Sequence, residues 1–345
     1  ELIRQFMDYK HIYECYKMEL MEFMNMQFIA AMNPTAGSFD INPRLQRHFW
    51  ICSVPFPSKD SLYGIYSFFL NGHFKNFHPS VVEFINNKTL VSISELLHKS
   101  ITGLGGFKKS ADNFHYEFNL RHLTGVFQGI LTSTVEKYQD PDKLFKMWVH
   151  ECDRIYGDRL VTVKDYDKYR GMVSELIKTK FSKYAPVCNK YFTEKNPEAL
   201  IFCRFVNGHM DNNYDIGTLE EVRKRAEAAL NEYNESGNVF MELVLFADAT
   251  KHVCRITRII SQPSGHGLLV GVGGSGKQSL SKLSAFICQY NIKMITISQE
   301  YKLNSLKEDL QKMFTATGTV DDSGLLFIFT EGQIVDEKFI VPIND

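Results

Sequence analysis

The stretch Gly271-Val272-Gly273-Gly274-Ser275-Gly276-Lys277 restricts this chain more than any other. It fits the pattern G-x-x-x-x-G-K, follows the apolar run GLLVGV (267–272) and opens the helical pattern KQSLSKLSAFICQY (277–290). Glycines let successive backbone N–H groups turn inward, a helix start adds partial positive charge, and a lysine reaches the outer phosphates. A strand, loop and helix in this order predict a phosphate cradle made of Gly271, Val272, Gly273, Gly274, Ser275, Gly276, Lys277, Gln278 and Ser279. The expected ligand is ATP or ADP. A tight glycine turn with no ligand is the alternative that the pattern leaves open.

One position departs from the usual cradle. Gln278 follows the lysine where a hydroxyl normally meets magnesium, and Ser279 points about 100° further round the helix. Magnesium coordination is therefore left open. Hydrolysis also asks for an acidic pair at the end of a neighbouring strand. The run LLFIFTEGQ offers Thr330, which carries no charge, and then Glu331, which could position an attacking water or be an ordinary loop carboxylate.

The remaining C-terminal pattern is strand KMITIS, helix SLKEDLQKMFTAT and strand GLLFIFT, an alternation that specifies a parallel sheet with crossover helices. Upstream, Thr218 and Glu221 form a capping-box signal for a helix over about 218–234, with Leu219, Val222, Ala226, Leu230 and Tyr233 on one face. A second helix is expected through FMELVLFADATKHVCRITRII (240–260), where Lys251, Arg255 and Arg258 suit the C-terminal end of the dipole.

The first half reads differently. MQFIAAM (26–32) is expected as a buried strand ending at Asn33, and FWICSV (49–54) as a second one. A helix capped by Ser58 should follow, with Leu62, Ile65, Tyr66 and Phe69 on one face. Residues 80–190 place apolar side chains three or four apart and should form a helical subdomain, and 206–217 is the best linker. The expected domains are 1–72, the end of one α/β part; 73–205, its helical lid; 206–217, a linker; and 218–345, the start of a second α/β part.

Composition excludes several classes. Lys plus Arg and Asp plus Glu nearly cancel (39 against 40), so no overall field would recruit nucleic acid or an anionic membrane. Seven scattered cysteines, never spaced C-x-x-C, read as buried thiols in a reducing compartment. No stretch reaches the ~18 apolar residues a spanning helix needs, and a soluble intracellular chain is expected. Histidines such as His73, His78 and His150 lack partners at zinc spacing, so no metal site is expected. The chain opens without methionine inside an amphipathic stretch, and it is expected to be a piece of something longer.

IAAMNPTAGSFDINPRLQRHF, FNLRHLTGVFQGIL, LVLFADATKHVCRITRI and LLVGVGGSGKQSLSKL together resemble the motor ring of an axonemal dynein heavy chain, at the end of its third AAA+ module and the beginning of its fourth. The resemblance covers essentially the whole chain. It implies an α/β fold of the P-loop NTPase AAA+ type in two incomplete modules: a parallel α/β part with its helical lid, then a second α/β part. It implies that Asn33 is the polar sensor of the third module, that Arg47 is its arginine finger with Arg44 as substitute, and that Arg121 is the second sensor. Spacing alone leaves Arg44 and Arg47 as surface residues of a proline-started turn, and Arg121 as a helix-surface arginine. The segment around Leu243, Phe246, Ala249 and His252 resembles the adenine side of the fourth site.

The implied function is a segment of the ATP-driven, minus-end-directed microtubule motor of cilia and flagella. Its fourth-module loop would bind nucleotide for regulation, with slow or no hydrolysis. Implied partners are the other AAA+ modules of the same heavy chain, microtubules, and dynein intermediate, light intermediate and light chains, with no nucleic acid and no membrane. Implied localisation is cytoplasm, cytoskeleton and ciliary axoneme. Two other classes stay open from the residues themselves: a nucleotide-independent structural module, and an unrelated P-loop ATPase.

Overall fold

A computed structural model describes residues 2–14, 16–32, 41–192, 200–206, 214–237, 239–298, 300–319 and 324–344. The chain divides into two compact units, Glu1–Ser58 and Lys59–Asp345.

The first unit holds helix α1 (Leu2–Tyr9), strands β1 (His11–Tyr13) and β2 (Leu20–Glu22), and the short helix α2 (Pro43–Gln46). β1 and β2 pair antiparallel, with His11 opposite Glu22. Phe6 is the buried anchor of α1, met edge-on by Phe23 and Phe28 at 5.7 and 5.4 Å. Neither expected strand is present. Residues 26–32 and 49–54 carry no ladder, because a strand exists only through a hydrogen-bonded neighbour and no described residue supplies one. Most of their apolar side chains face outward instead, with Ile29 99% and Trp50 96% exposed, while Phe28 and Phe49 are half-buried.

The second unit begins with a helical array: α3 (Lys59–Phe74), α4 (Pro79–Asn86), α5 (Thr89–Thr102), α6 (Leu120–Ile130), α7 (Pro141–Ile155), α8 (Val163–Lys180) and α9 (Ala185–Phe192). α3 starts just after Ser58, as the sequence indicates, but its buried stripe is Leu62, Tyr66, Leu70 and Phe74. Ile65 and Phe69 are exposed. The i, i+4 ridge wins because Tyr66 stacks on Phe127 at 4.3 Å and shares a 2.9 Å hydrogen bond with Thr124 on α6. α3 is continuous through residues 72 and 73.

α7 buries an unbroken run from Met147 to Cys152. Asp140 caps it by accepting from the Asp142 N–H at 3.0 Å, and Pro141 occupies its first position. Trp148 is fully buried and its indole N–H donates to Ser94 Oγ on α5 at 2.8 Å. This satisfies the one polar atom that burial of an indole would otherwise strand.

Strands β3 (Ile201–Cys203) and β4 (Asp215–Gly217) then pair antiparallel, with Ile201 opposite Gly217. The expected linker is thus in part structure: 207–213 lie outside the described residues, and 215–217 are held in a ladder beside buried Tyr214. α10 (Leu219–Glu235) has the expected capping box, Thr218 with Glu221, and buries Val222, Ala226, Leu230 and Tyr233.

α11 (Ala247–Ile260) is shorter than the sequence suggests. Residues 240–246 are not helical: Met241 and Leu245 are buried, Leu243 is half-buried, and Phe240, Val244 and Phe246 are exposed. That burial has a period of two, the signature of extended chain. α12 (Lys277–Ile287), β5 (Asn291–Lys293), α13 (Leu303–Thr319), β6 (Leu325–Phe327) and α14 (Val341–Asn344) complete the unit. β5 and β6 pair parallel with α13 as their crossover, Ile292 opposite Leu326. The run 267–272 carries no strand and exposes Leu268, Val270 and Val272. The expected parallel sheet is therefore two short strands among the described residues.

Candidate functional site

The glycine loop turns through two left-handed residues, Gly274 (φ 75°) and Gly276 (φ 76°). Side chains rarely tolerate that backbone, which explains glycine at both positions. Gly276 is the N-cap of α12, and Lys277 its first residue. A Cβ at Gly273, Gly274 or Gly276 would meet nothing within 4 Å, so the backbone there borders open space. The first amides of any helix lack an intrahelical partner, which is the chemistry a phosphate needs.

Lys277 folds back over the loop. Its Nζ donates to the carbonyls of Gly271 at 2.8 Å and Val272 at 2.7 Å, with Ser275 Oγ at 3.3 Å. Gln278 is exposed, and Ser279 is half-buried beside it. α12 itself is fixed by Leu280, Leu283 and Ile287, which share a core with Val253 and Ile256 of α11 and Val222, Ala226 and Leu230 of α10.

Glu331 opens a 3-10 turn, Glu331–Gln333, just past β6, and its carboxylate is exposed. Gln333 was not singled out from the sequence, yet it holds this turn. Its Oε1 accepts from the Thr330 N–H at 2.8 Å, and its Nε2 donates to the Ile295 carbonyl beyond β5 at 2.6 Å. The spacing T-x-x-Q, a capping-box signature, was the available signal.

The other expected site residues lie elsewhere. Asn33 is outside the described residues. Arg47 ends α2 in the first unit, where Asn42 caps the proline-started turn by accepting from the Arg44 N–H at 2.9 Å. Arg47 Nη2 donates to Asp8 Oδ1 at 2.8 Å, and Arg4 and His48 approach the same carboxylate. Burial pushes the Asp8 carboxyl up, but the hydrogen bond and charge of Arg47 outweigh it and hold it below its ordinary value. Arg121 is exposed on the first turn of α6, its backbone N–H donating to Asn119 Oδ1 at 3.0 Å. Among the described residues no hydrogen bond or ion pair joins Arg121 or Glu331 to the glycine loop. Ala249 is buried, whereas Leu243 and Phe246 precede α11 and His252 is exposed on it. Among the described residues no cluster of His, Cys, Asp and Glu is placed to hold a metal.

With this geometry in place, comparison with known proteins assigns the whole. Residues 241–345 match the family profile described as P-loop containing dynein motor region D4, residues 90–187 match the AAA+ lid domain, and residues 1–57 match a P-loop containing dynein motor region. All of this chain aligns with the dynein alpha chain of the flagellar outer arm of Chlamydomonas reinhardtii, 48% identical over 345 residues and 8% of that protein. It aligns equally with dynein axonemal heavy chain 11 of Sus scrofa, 41% identical over 352 residues and 7% of that protein, and with the ciliary dynein beta chain of Tripneustes gratilla, 41% over 350 residues and 8%.

The chain belongs to the axonemal dynein heavy chains. It spans under a tenth of the length of these dynein relatives, at 7% to 8%. Its fold is that of AAA+ P-loop motor-region domains with a lid, mixed helix and sheet around a short parallel pair. The glycine loop falls inside the D4 match, and the D4 assignment to a P-loop implies nucleotide binding. Within that match Gly274 and Gly276 are the left-handed residues of the loop, and the Lys277 ammonium is hydrogen-bonded to the Gly271 and Val272 carbonyls.

Proposed function

We propose that residues 271–279 bind ATP or ADP as the fourth nucleotide site of a dynein ring, and that the site regulates rather than powers the motor. The observation that carries this is the loop itself, in which left-handed Gly274 and Gly276 lead into α12 beneath the Lys277 ammonium. Gln278 in place of a magnesium-binding hydroxyl and Thr330 in place of the first acidic residue favour slow turnover, with magnesium held loosely or through water. A nucleotide shifts a two-state ring only by its difference in affinity for the two shapes, so fast hydrolysis is not needed for control.

The wider role follows from the family. The intact heavy chain would be a minus-end-directed microtubule motor of the ciliary or flagellar axoneme, working with intermediate, light intermediate and light chains in the cytoplasmic cytoskeleton, with no nucleic acid or membrane as partner. In this reading residues 1–72 end the third module, 73–205 form its lid, 206–217 join the modules, and 218–345 begin the fourth. Asn33 senses the third site, Arg47 reaches the phosphates of the preceding module, Arg121 contacts its own module's nucleotide, and Glu331 positions water at the fourth.

One observation favours a second reading, a loop that is only a folded turn: Lys277 already hydrogen-bonds to the loop's own carbonyls. Nucleotide titration of the heavy chain and its Lys277→Ala variant separates the two. A charge-assisted hydrogen bond is worth about 1.5–3 kcal/mol, so the variant should lose roughly ten- to a hundredfold in affinity at this site. Identical binding curves for both proteins would leave only the folded turn.

A further inference from the structure

Arg258 and Glu151 stand 107 residues apart, one inside the D4 match and the other inside the lid match. Arg258 Nε lies 3.2 and 3.1 Å from the two Glu151 oxygens, and Nη2 donates to Oε2 as well. Glu151 is fully buried and the Arg258 side chain is 9% exposed. Burial pulls the guanidinium down, but the charge and hydrogen bond of Glu151 outweigh it and hold the Arg258 pKa above its ordinary value.

A third element joins at the same carboxylate. The Tyr214 hydroxyl, from the β3–β4 hairpin, lies 3.1 Å from Glu151 Oε1 and 2.8 Å from His150 Nε2. His150 Nδ1 faces the Leu200 carbonyl at 3.0 Å, so that nitrogen carries the ring's proton and Nε2 is an acceptor. Burial keeps the ring neutral. The Tyr214 hydroxyl donates to Glu151 Oε1 and also meets His150 Nε2. Alongside, Arg255 Nε lies 3.0 Å from Asp158 Oδ1, and Asp158 is also paired with Arg154 at 2.7 Å.

These contacts use one face of α11. Its other face, Val253 and Ile256, packs into the core that holds α12. At the C-terminal end the Tyr290 hydroxyl, three residues past α12, donates to the Ile260 carbonyl at 3.2 Å. α12 begins at Lys277, so a single helix, gripped by charges on one side and by apolar packing on the other, lies between the lid and the phosphate loop.

We propose that the Glu151–Arg258 pair is a positioning device, through which the lid segment sets the placement of α12 and so of the loop at 271–279. The link to nucleotide rests on the reading of that loop given above. The geometry alone requires that loosening the pair frees α11 and α12 selectively.

The test uses the full heavy chain with Arg258→Lys, which keeps the charge and loses the bidentate fork, and Glu151→Gln, which keeps the shape and loses the charge. Amide hydrogen exchange of peptides covering 247–287 should speed up by about fivefold or more in both, the low end of a typical coupling, while 59–86 stay unchanged. Binding of a fluorescent ADP, taken as the part abolished by Lys277→Ala, should weaken by a similar factor, with Arg258→Lys milder than Glu151→Gln. Unchanged exchange over 247–287 overturns the proposal. So does faster exchange with unchanged Lys277-dependent affinity, which would make the pair a structural contact only. If Lys277→Ala binds as the wild type does, the nucleotide reading fails by itself, and the exchange result still decides whether the pair holds α12 in place.

Discussion

At the residue scale the chemistry turns on a few side chains whose neighbours fix their behaviour. Glu331 begins a turn clipped by Gln333, so its carboxylate is presented from a rigid mount rather than a loose loop. Glu331→Gln should lower turnover at the fourth site about tenfold or more while leaving nucleotide affinity within a factor of two. Single-turnover hydrolysis and equilibrium binding measure the two quantities separately, and equal turnover would remove the residue from the mechanism. His122 offers a pH signature. Burial first, then the charge of Arg159, push its pKa from 6.5 down to about 4, while its Nδ1 accepts from the Asn119 N–H at 2.9 Å. Because the folded pKa is the lower one, the unfolded chain binds more protons between these values, and stability is present above 6.5 and lost as pH falls towards 4. Acidification over that window should fray the start of α6, read as loss of amide protection at 120–123, and His122→Gln should flatten the response.

At the element scale, helices were more legible than strands: the GLLFIFT run does hold β6, and KMITIS meets β5 only at Lys293. The capping box at Thr218 marked α10, and the glycine loop followed by apolar spacing marked α12, because a helix satisfies its own backbone and needs only one buried stripe. The runs at 26–32, 49–54 and 267–272 are as apolar as any strand, yet strand formation depends on distant partners that local sequence does not name. Period-two burial at 241–245 hid inside what reads as a long helix. Of the site, the glycine loop and its helix were readable from spacing, whereas Gln333 and the Glu151–Arg258 pair were not. The clue to Glu151 was a carboxylate among Trp148, Val149 and Cys152, all buried. The packing of α12 yields its own prediction. Leu283 is fully buried in the core shared by α10, α11 and α12, so Leu283→Ala should cost about 2–5 kcal/mol and speed exchange throughout 277–287. Denaturant unfolding followed by circular dichroism gives the magnitude.

At the scale of the whole molecule, the chain brings together two dynein motor-region matches and a lid match, and the buried charges of the second unit lie where the lid and D4 segments meet. Removing one member of such a pair strands a charge away from water, typically at about 3–5 kcal/mol, which is why gentle substitutions suit its study. The two compact units also differ in a way that light can read. The chain has two tryptophans, Trp50 in the first unit, almost wholly exposed, and Trp148 in the second, sealed beneath α5. In the 345-residue chain by itself acrylamide should quench the red-edge emission of Trp50 and spare the blue emission of Trp148, so that Trp50→Phe leaves a nearly unquenchable spectrum. A quenchable Trp50→Phe protein would contradict the sealing of Trp148. Each unit therefore carries its own fluorophore, and loosening of the helical array can be timed by colour alone without attaching a dye.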